Sequence, residues 1–269
     1  MTWFEDTMVE EEAGAGERSE SAGAPTIVLD QRAAFSGSEG VDRDGLRDAA
    51  FELIELHRLF AKTEENVVGE VLRESDGFVE WEHYPENDAY DPETGAQYYY
   101  HAHPPEERGT SEHGHFHLFM RERGMPAGAV PFPGQELPEG ENAILTHLVA
   151  ISMDPRGLPI GLFTTNRWVT GDIWYPAQDV VKMIDAFAID VIRPNLAVNR
   201  WLTAMVRLFR PQIVSLLEAR DHVLRDCLSR APAATVFEDR RTEVMSYMAI
   251  SVEDQVRLLC GESASAEPA

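Results

Sequence analysis

Residues 98–119 read YYYHAHPPEERGTSEHGHFHLF and hold five of the chain's nine histidines. Two extended stretches, Gln97 to His103 and His113 to Arg121, flank a polar loop containing two prolines and a glycine. Successive side chains of a strand point to opposite faces, so His101 and His103 share one face, and so do His113, His115 and His117. If the loop from Pro104 to Glu112 closes an antiparallel hairpin, pairing His103 with His113 sets His101 opposite His115 and Tyr99 opposite His117. All five imidazoles then face the same way. Directly opposed β-carbons lie ~4.5–5.5 Å apart, a spacing from which ring nitrogens reach one ion at ~2.0–2.1 Å. Tyr98 and Tyr100 point the other way, into a core.

Outward from the hairpin, the pattern stays extended. Phe78 to Tyr84 alternates as a strand, and YPENDAYDPETG (84–95) carries the Pro, Gly, Asn and Asp punctuation of a turn-rich loop. A second hairpin is expected over Ala143–Met153 and Leu158–Thr165, turned by Asp154-Pro155-Arg156-Gly157. Apolar residues recur at helical spacing from Gly45 to Arg73, with Thr63 an N-cap between two helices. Pro176 opens a helix through Val180, Met183 and Phe187; a second runs over Leu196–Phe209, and Pro211 opens a third, in which Asp221 and Arg225 form an i,i+4 pair. A last strand, Thr242–Ile250, leads into a short helix over Val252–Cys260. Strands followed by helices predict an α+β fold: an antiparallel β-sheet of about five or six strands packed with C-terminal and N-terminal helices.

The chain has 269 residues, 43% of them apolar, enough for one generous domain over 41–262. Residues 1–40 are rich in Glu, Gly, Ala and Ser and are expected to form a mobile acidic tail, with a second short tail over 263–269. With 47 acidic against 23 basic residues, the net charge of −24 repels nucleic-acid phosphates and anionic membrane surfaces. Neither nucleic acid nor membrane is an expected partner; a small-molecule substrate is. Cys227 and Cys260 lie far apart with no C-x-x-C pairing, the N-terminus lacks the basic and apolar pattern of a secretory signal, and no apolar run approaches ~20 residues. A cytoplasmic location is expected.

Five crowded imidazoles depress one another's proton affinity, which leaves the lone pairs that a divalent metal needs. His101, His103, His115 and His117 are therefore read as the main metal ligands, with His113 an outer ligand or proton shuttle. Glu112 or Glu107 serves as the acid–base group. Histidine and carboxylate ligands suit iron(II), zinc, copper or nickel alike. Tyr99 lies beside the row. Asn166, Arg167 and Trp168, at the exit of the second hairpin, are candidate substrate-binding residues, since such an arginine can meet a carboxylate or phosphate. His83 and His147 are read as lone histidines outside the site. Asp88, Asp91 and Glu93 lack a calcium-loop spacing and read as a solvated turn.

The spacing Gly95, His101, His103, Glu107, Gly114 is similar to the first cupin motif, which implies a metal held by two histidines and a glutamate inside a small β-barrel. Pro155-Arg156-Gly157 has Ile160 where that family's third histidine would follow. The segment His113-Gly114-His115-Phe116-His117-Leu118-Phe119 resembles the histidine-triad signature, which implies a nucleotide hydrolase or transferase using His115. Across most of the ordered chain, YYYHAHPPEERGTSEHGHFHLF, LFTTNRWVTGDIWYPA and FRPQIVSLLEARD together resemble an uncharacterised bacterial family of unknown function, which implies no activity. The reading is a metal-binding protein, a hydrolase or oxidoreductase. The histidine-triad enzyme and a non-catalytic metal-binding or protein-interaction module are the alternatives.

Overall fold

The computed structural model describes residues 23–38, 40–104 and 111–261. Its strands are β1 (Ile27–Leu29), β2 (Tyr84–Tyr90), β3 (Ala96–His101), β4 (Gly114–Arg121), β5 (Leu145–Met153), β6 (Pro159–Thr165) and β7 (Val244–Ala249). They form one open sheet in the order β1-β7-β6-β5-β4-β3-β2. From β2 to β6 this is an antiparallel meander of consecutive strands. β7 returns antiparallel to β6, and β1 adds parallel to β7. The fold is α+β, but the sheet has seven strands and one parallel pair, not five or six antiparallel strands. Its two edges leave it open, unlike the closed barrel that the cupin-like spacing implies.

Two differences from the sequence expectation have physical causes. The strand expected at Phe78–Tyr84 begins only at Tyr84 and runs through the stretch read as a loop. Asn87 and Asp88 adopt φ of 67° and 60°, a left-handed conformation those residues tolerate. The pairing of β2 with β3 is correspondingly irregular between Tyr84 and Ala89, so turn-like composition sits inside a bulged edge strand. Within the segment read as an acidic tail, Ile27–Leu29 pairs with Ser246–Met248. The Asp30 side chain then caps a short helix by accepting from Ala33 N–H at 2.8 Å. Three apolar residues suffice there because an existing edge supplies the backbone partners.

The helices are α1 (Gln31–Ser36), α2 (Arg43–Lys62), α3 (Val67–Leu72), α4 (Arg167–Thr170), α5 (Ala177–Ala186), α6 (Leu196–Leu208), α7 (Arg210–Leu228), α8 (Ala233–Phe237) and α9 (Val252–Cys260). Thr63 closes α2 as its C-cap, and Asn66, not Thr63, caps α3 by accepting from Gly69 N–H. α2 packs on α6, and α7 crosses β7 and β6. Tyr98, Tyr100, Phe116, Leu118, Val149, Ile151, Leu162 and Met248 supply the strands' contribution to this core, against Trp201, Leu202, Leu216 and Leu217 of the helices. Tyr98 donates its hydroxyl to Asn199 Oδ1 at 2.9 Å, joining sheet to α6. Asp221 does not pair with Arg225 as the spacing suggested. Its carboxylate accepts from the buried Arg220 at 2.7 Å and from Ala177 N–H at 2.7 Å, fixing the start of α5 to α7.

Candidate metal centre

The helix layer leaves the opposite face of the sheet to a different set of residues. On β3 and β4 the observed register pairs Tyr99 with His117 and His101 with His115, as the hairpin argument requires. β5 sets Ser152 beside His115 and Ala150 beside His117, and β6 sets Phe163 beside Ala150. The histidine row thus lies on interior strands of the sheet, buried on the face opposite Tyr98, Tyr100 and the helices packed on them.

His101 Nε2 and His115 Nε2 stand 2.8 Å apart. One ligand atom each from His101, His103 and His115 falls within 4.8 Å of the others. Two nitrogens sharing a tetrahedral ion stand about 3.4 Å apart, so small ring rotations bring this trio to a common ion. The other nitrogen of His115, Nδ1, lies 2.6 Å from Glu112 Oε1. A carboxylate there fixes the proton on Nδ1 and turns the Nε2 lone pair toward His101 and His103. Glu112 therefore orients the His115 ring.

His117 is adjacent but turned. Its ring centroid lies 4.8 Å from that of His115 and 5.2 Å from that of His101, yet its Nδ1 meets His147 Nε2 at 3.0 Å. His147 Nδ1 in turn lies 3.4 Å from Thr165 Oγ1. Burial, with help from its imidazole neighbours, drives the His101 pKa down to about 2. His117, fully enclosed, is held well below the ordinary histidine range by the same causes. Burial and the nearby Arg220 bring His147 down to about 3. These three rings are neutral at pH 7, with lone pairs available.

Other expected site residues are placed differently. His113 does not join the row: its Nδ1 lies 2.6 Å from the Tyr100 hydroxyl, and its ring packs on Phe78 at 5.3 Å. It precedes the first residue of β4, where strand alternation no longer dictates its direction. Glu107 lies outside the described residues. Tyr99 does sit beside the histidines, 5.3 Å from His101 and 5.1 Å from His117 between ring centroids, and burial raises its hydroxyl pKa. Asn166 is taken up capping α4 and donating to Val236 O, Arg167 pairs with Glu238, and Trp168 Nε1–H donates to Thr242 O at 2.8 Å. Their neighbours Thr165 and Val169, not they, line the space beside the histidines.

Two histidines read as bystanders belong to the cluster's surroundings. His83 stacks on Tyr99 at 3.6 Å with 7° between the ring planes, and its Nδ1 meets Asp88 Oδ1 at 3.0 Å. His147 shares the histidine face because pairing of β4 with β5 shifts between Leu118 and Phe119. Plain alternation from Val149, a core residue, would have sent His147 to the helix side. Trp81 adds a roof: its ring centroid lies 4.1 Å from that of His103, and its backbone holds φ of 69°. So bulky a residue is uncommon in that conformation.

Beside His103, Glu112, His115 and His117 opens a cavity of about 240 Å³, bounded further by Ser152, Phe163, Thr165 and Tyr247. Among the described residues no helix is long and apolar enough to cross a membrane. A model of the family described as a domain of unknown function, DUF6969, matches residues 47–250, a span that includes every histidine named above. No curated protein and no solved structure matches the chain.

Proposed function

The chain belongs to the DUF6969 family of unknown function, and we propose, from its site alone, that it is a metalloenzyme, a hydrolase or oxidoreductase. Its centre is a divalent transition-metal ion held by His101, His103 and His115. The observation that carries this reading is the convergence of three imidazole nitrogens within 4.8 Å, two of them at 2.8 Å. Three imidazole nitrogen ligands with a cavity alongside match the pattern in which the protein leaves a coordination position for a reactant. An ion bound there supplies Lewis acidity, or electron transfer if it is redox-active. Glu112 orients His115, while the His117–His147–Thr165 chain offers a path for a proton beside the reacting position. Nitrogen ligands serve zinc, iron, copper and nickel.

Elemental analysis of protein purified without a histidine tag tests the reading. About one equivalent of metal per chain is expected after reconstitution, and it should be lost in a His101→Ala/His115→Ala variant. Equal metal in both proteins, or none in reconstituted wild type, overturns it. A subtler expectation concerns Glu112→Gln, which keeps the shape but loses the carboxylate's grip on His115 Nδ1. Its metal affinity should fall roughly 10–100-fold, the usual loss for removing such a partner. Competition against a chromogenic chelator measures it, and an unchanged affinity would remove Glu112 from the centre.

A further inference from the structure

The cavity beside the histidines has a one-sided chemistry. Ser152 is 2% exposed, and its Oγ has no hydrogen-bond partner although it borders the open space. Buried hydroxyls are nearly always satisfied. Among the described residues the cavity's other polar groups outside the imidazoles are Thr165, Tyr247, Glu112 and, at its exposed mouth, Glu243. Among the described residues no lysine or arginine lines it. Carboxylates accept hydrogen bonds and never donate them when ionised, and hydroxyls both accept and donate. A ligand that meets the carboxylates of this wall must bring donors, and a negatively charged one meets two carboxylates with no cation among the described lining residues to offset them. Phe163 closes one side with an apolar ring, packed edge-on against His115 at 5.3 Å.

We infer that this cavity binds a small, donor-rich molecule without negative charge, one bearing hydroxyl or amine groups, and that Ser152 Oγ is its buried anchor. That the bound molecule is the substrate rests on the metal-centre reading; that it binds does not. A divalent ion in place would itself attract anions, so the preference against them is a property of the metal-free cavity.

Amide NMR shifts of Ser152, Thr165 and Val244 provide the test, in metal-free and in zinc-reconstituted protein whose zinc content is measured separately. Ethanolamine and ethylene glycol should each produce saturable shifts. In the metal-free protein, acetate and inorganic phosphate at matched concentration and ionic strength should not. Ser152→Ala is expected to weaken both binding probes about tenfold, the scale of one lost buried hydrogen bond. Glu243→Gln should weaken ethanolamine alone. Anions that shift these amides as strongly in the metal-free protein, or a Ser152→Ala protein that binds both probes like wild type, would overturn the inference. Probe binding in protein that takes up none of zinc, iron(II), copper or nickel would sustain this pocket while removing the metal centre, so the two failures are separable.

Discussion

Metal-free protein is expected to lose on the order of 5 kcal/mol of stability between pH 7.5 and pH 5. In the unfolded chain His101, His117 and His147 take up protons near pH 6.5. In the folded chain His101 stays neutral down to about 2 and His147 to about 3, and His117 likewise titrates well below its ordinary range. Over that window the unfolded state binds more protons than the native state, so stability rises with pH. It is fully present above the unfolded pKa and is lost as the pH falls below it. Each group contributes about 1.4 kcal/mol per pH unit, and three such groups rival the whole ~5–15 kcal/mol of a typical domain. Asp172 works in the opposite sense, because burial raises its carboxyl pKa, but it is one group against three. Urea midpoints at the two pH values measure the effect. His147→Gln, which cannot charge, should flatten the dependence by about a third. A midpoint indifferent to pH over this range would mean that the imidazoles are solvated, and would remove the buried cluster on which the site is built.

The same burial explains which parts of the site could be read in the sequence. Strand alternation and one assumed hairpin were enough to pair His101 with His115 and Tyr99 with His117, because those residues lie inside regular β3 and β4. Strand alternation misleads wherever the strands lose their regularity. His113 falls just before β4, His147 follows the shifted register of β4 and β5, and β2 hides its strand under Asn87 and Asp88 in left-handed conformations. A bulge reverses the face of every residue beyond it, and nothing in Leu148, the extra β5 residue between the partners of Leu118 and Phe119, announces one. Asn166, Arg167 and Trp168 illustrate a different limit. Their chemistry suits a ligand, but Val236, Glu238 and Thr242, distant in sequence, engage them in the fold. Composition shows what a side chain can do, whereas tertiary partners decide what it is left free to do.

Gly114→Ala is expected to cost about 3 kcal/mol and to abolish metal binding, a disproportionate result for one methyl group. Gly114 opens β4, immediately before His115. A β-carbon there would stand 2.5 Å from the His101 carbonyl oxygen and 2.6 Å from the Tyr100 hydroxyl oxygen. The tyrosine hydroxyl is anchored to His113 Nδ1 at 2.6 Å, and the carbonyl belongs to the backbone of a proposed ligand. Neither can yield without moving His101 away from His115, so the methyl group acts on the two nitrogens that approach most closely. Gly77 provides the control, since a β-carbon there meets nothing within 4 Å; Gly77→Ala should change stability by less than about 0.5 kcal/mol and leave metal uptake intact. Chemical denaturation and elemental analysis of both variants read the two effects independently. Should Gly114→Ala lose stability yet bind a full equivalent of metal, the spacing of His101 and His115 would not govern the centre, and the ligand set would have to be drawn from His103, His117 and His147 instead.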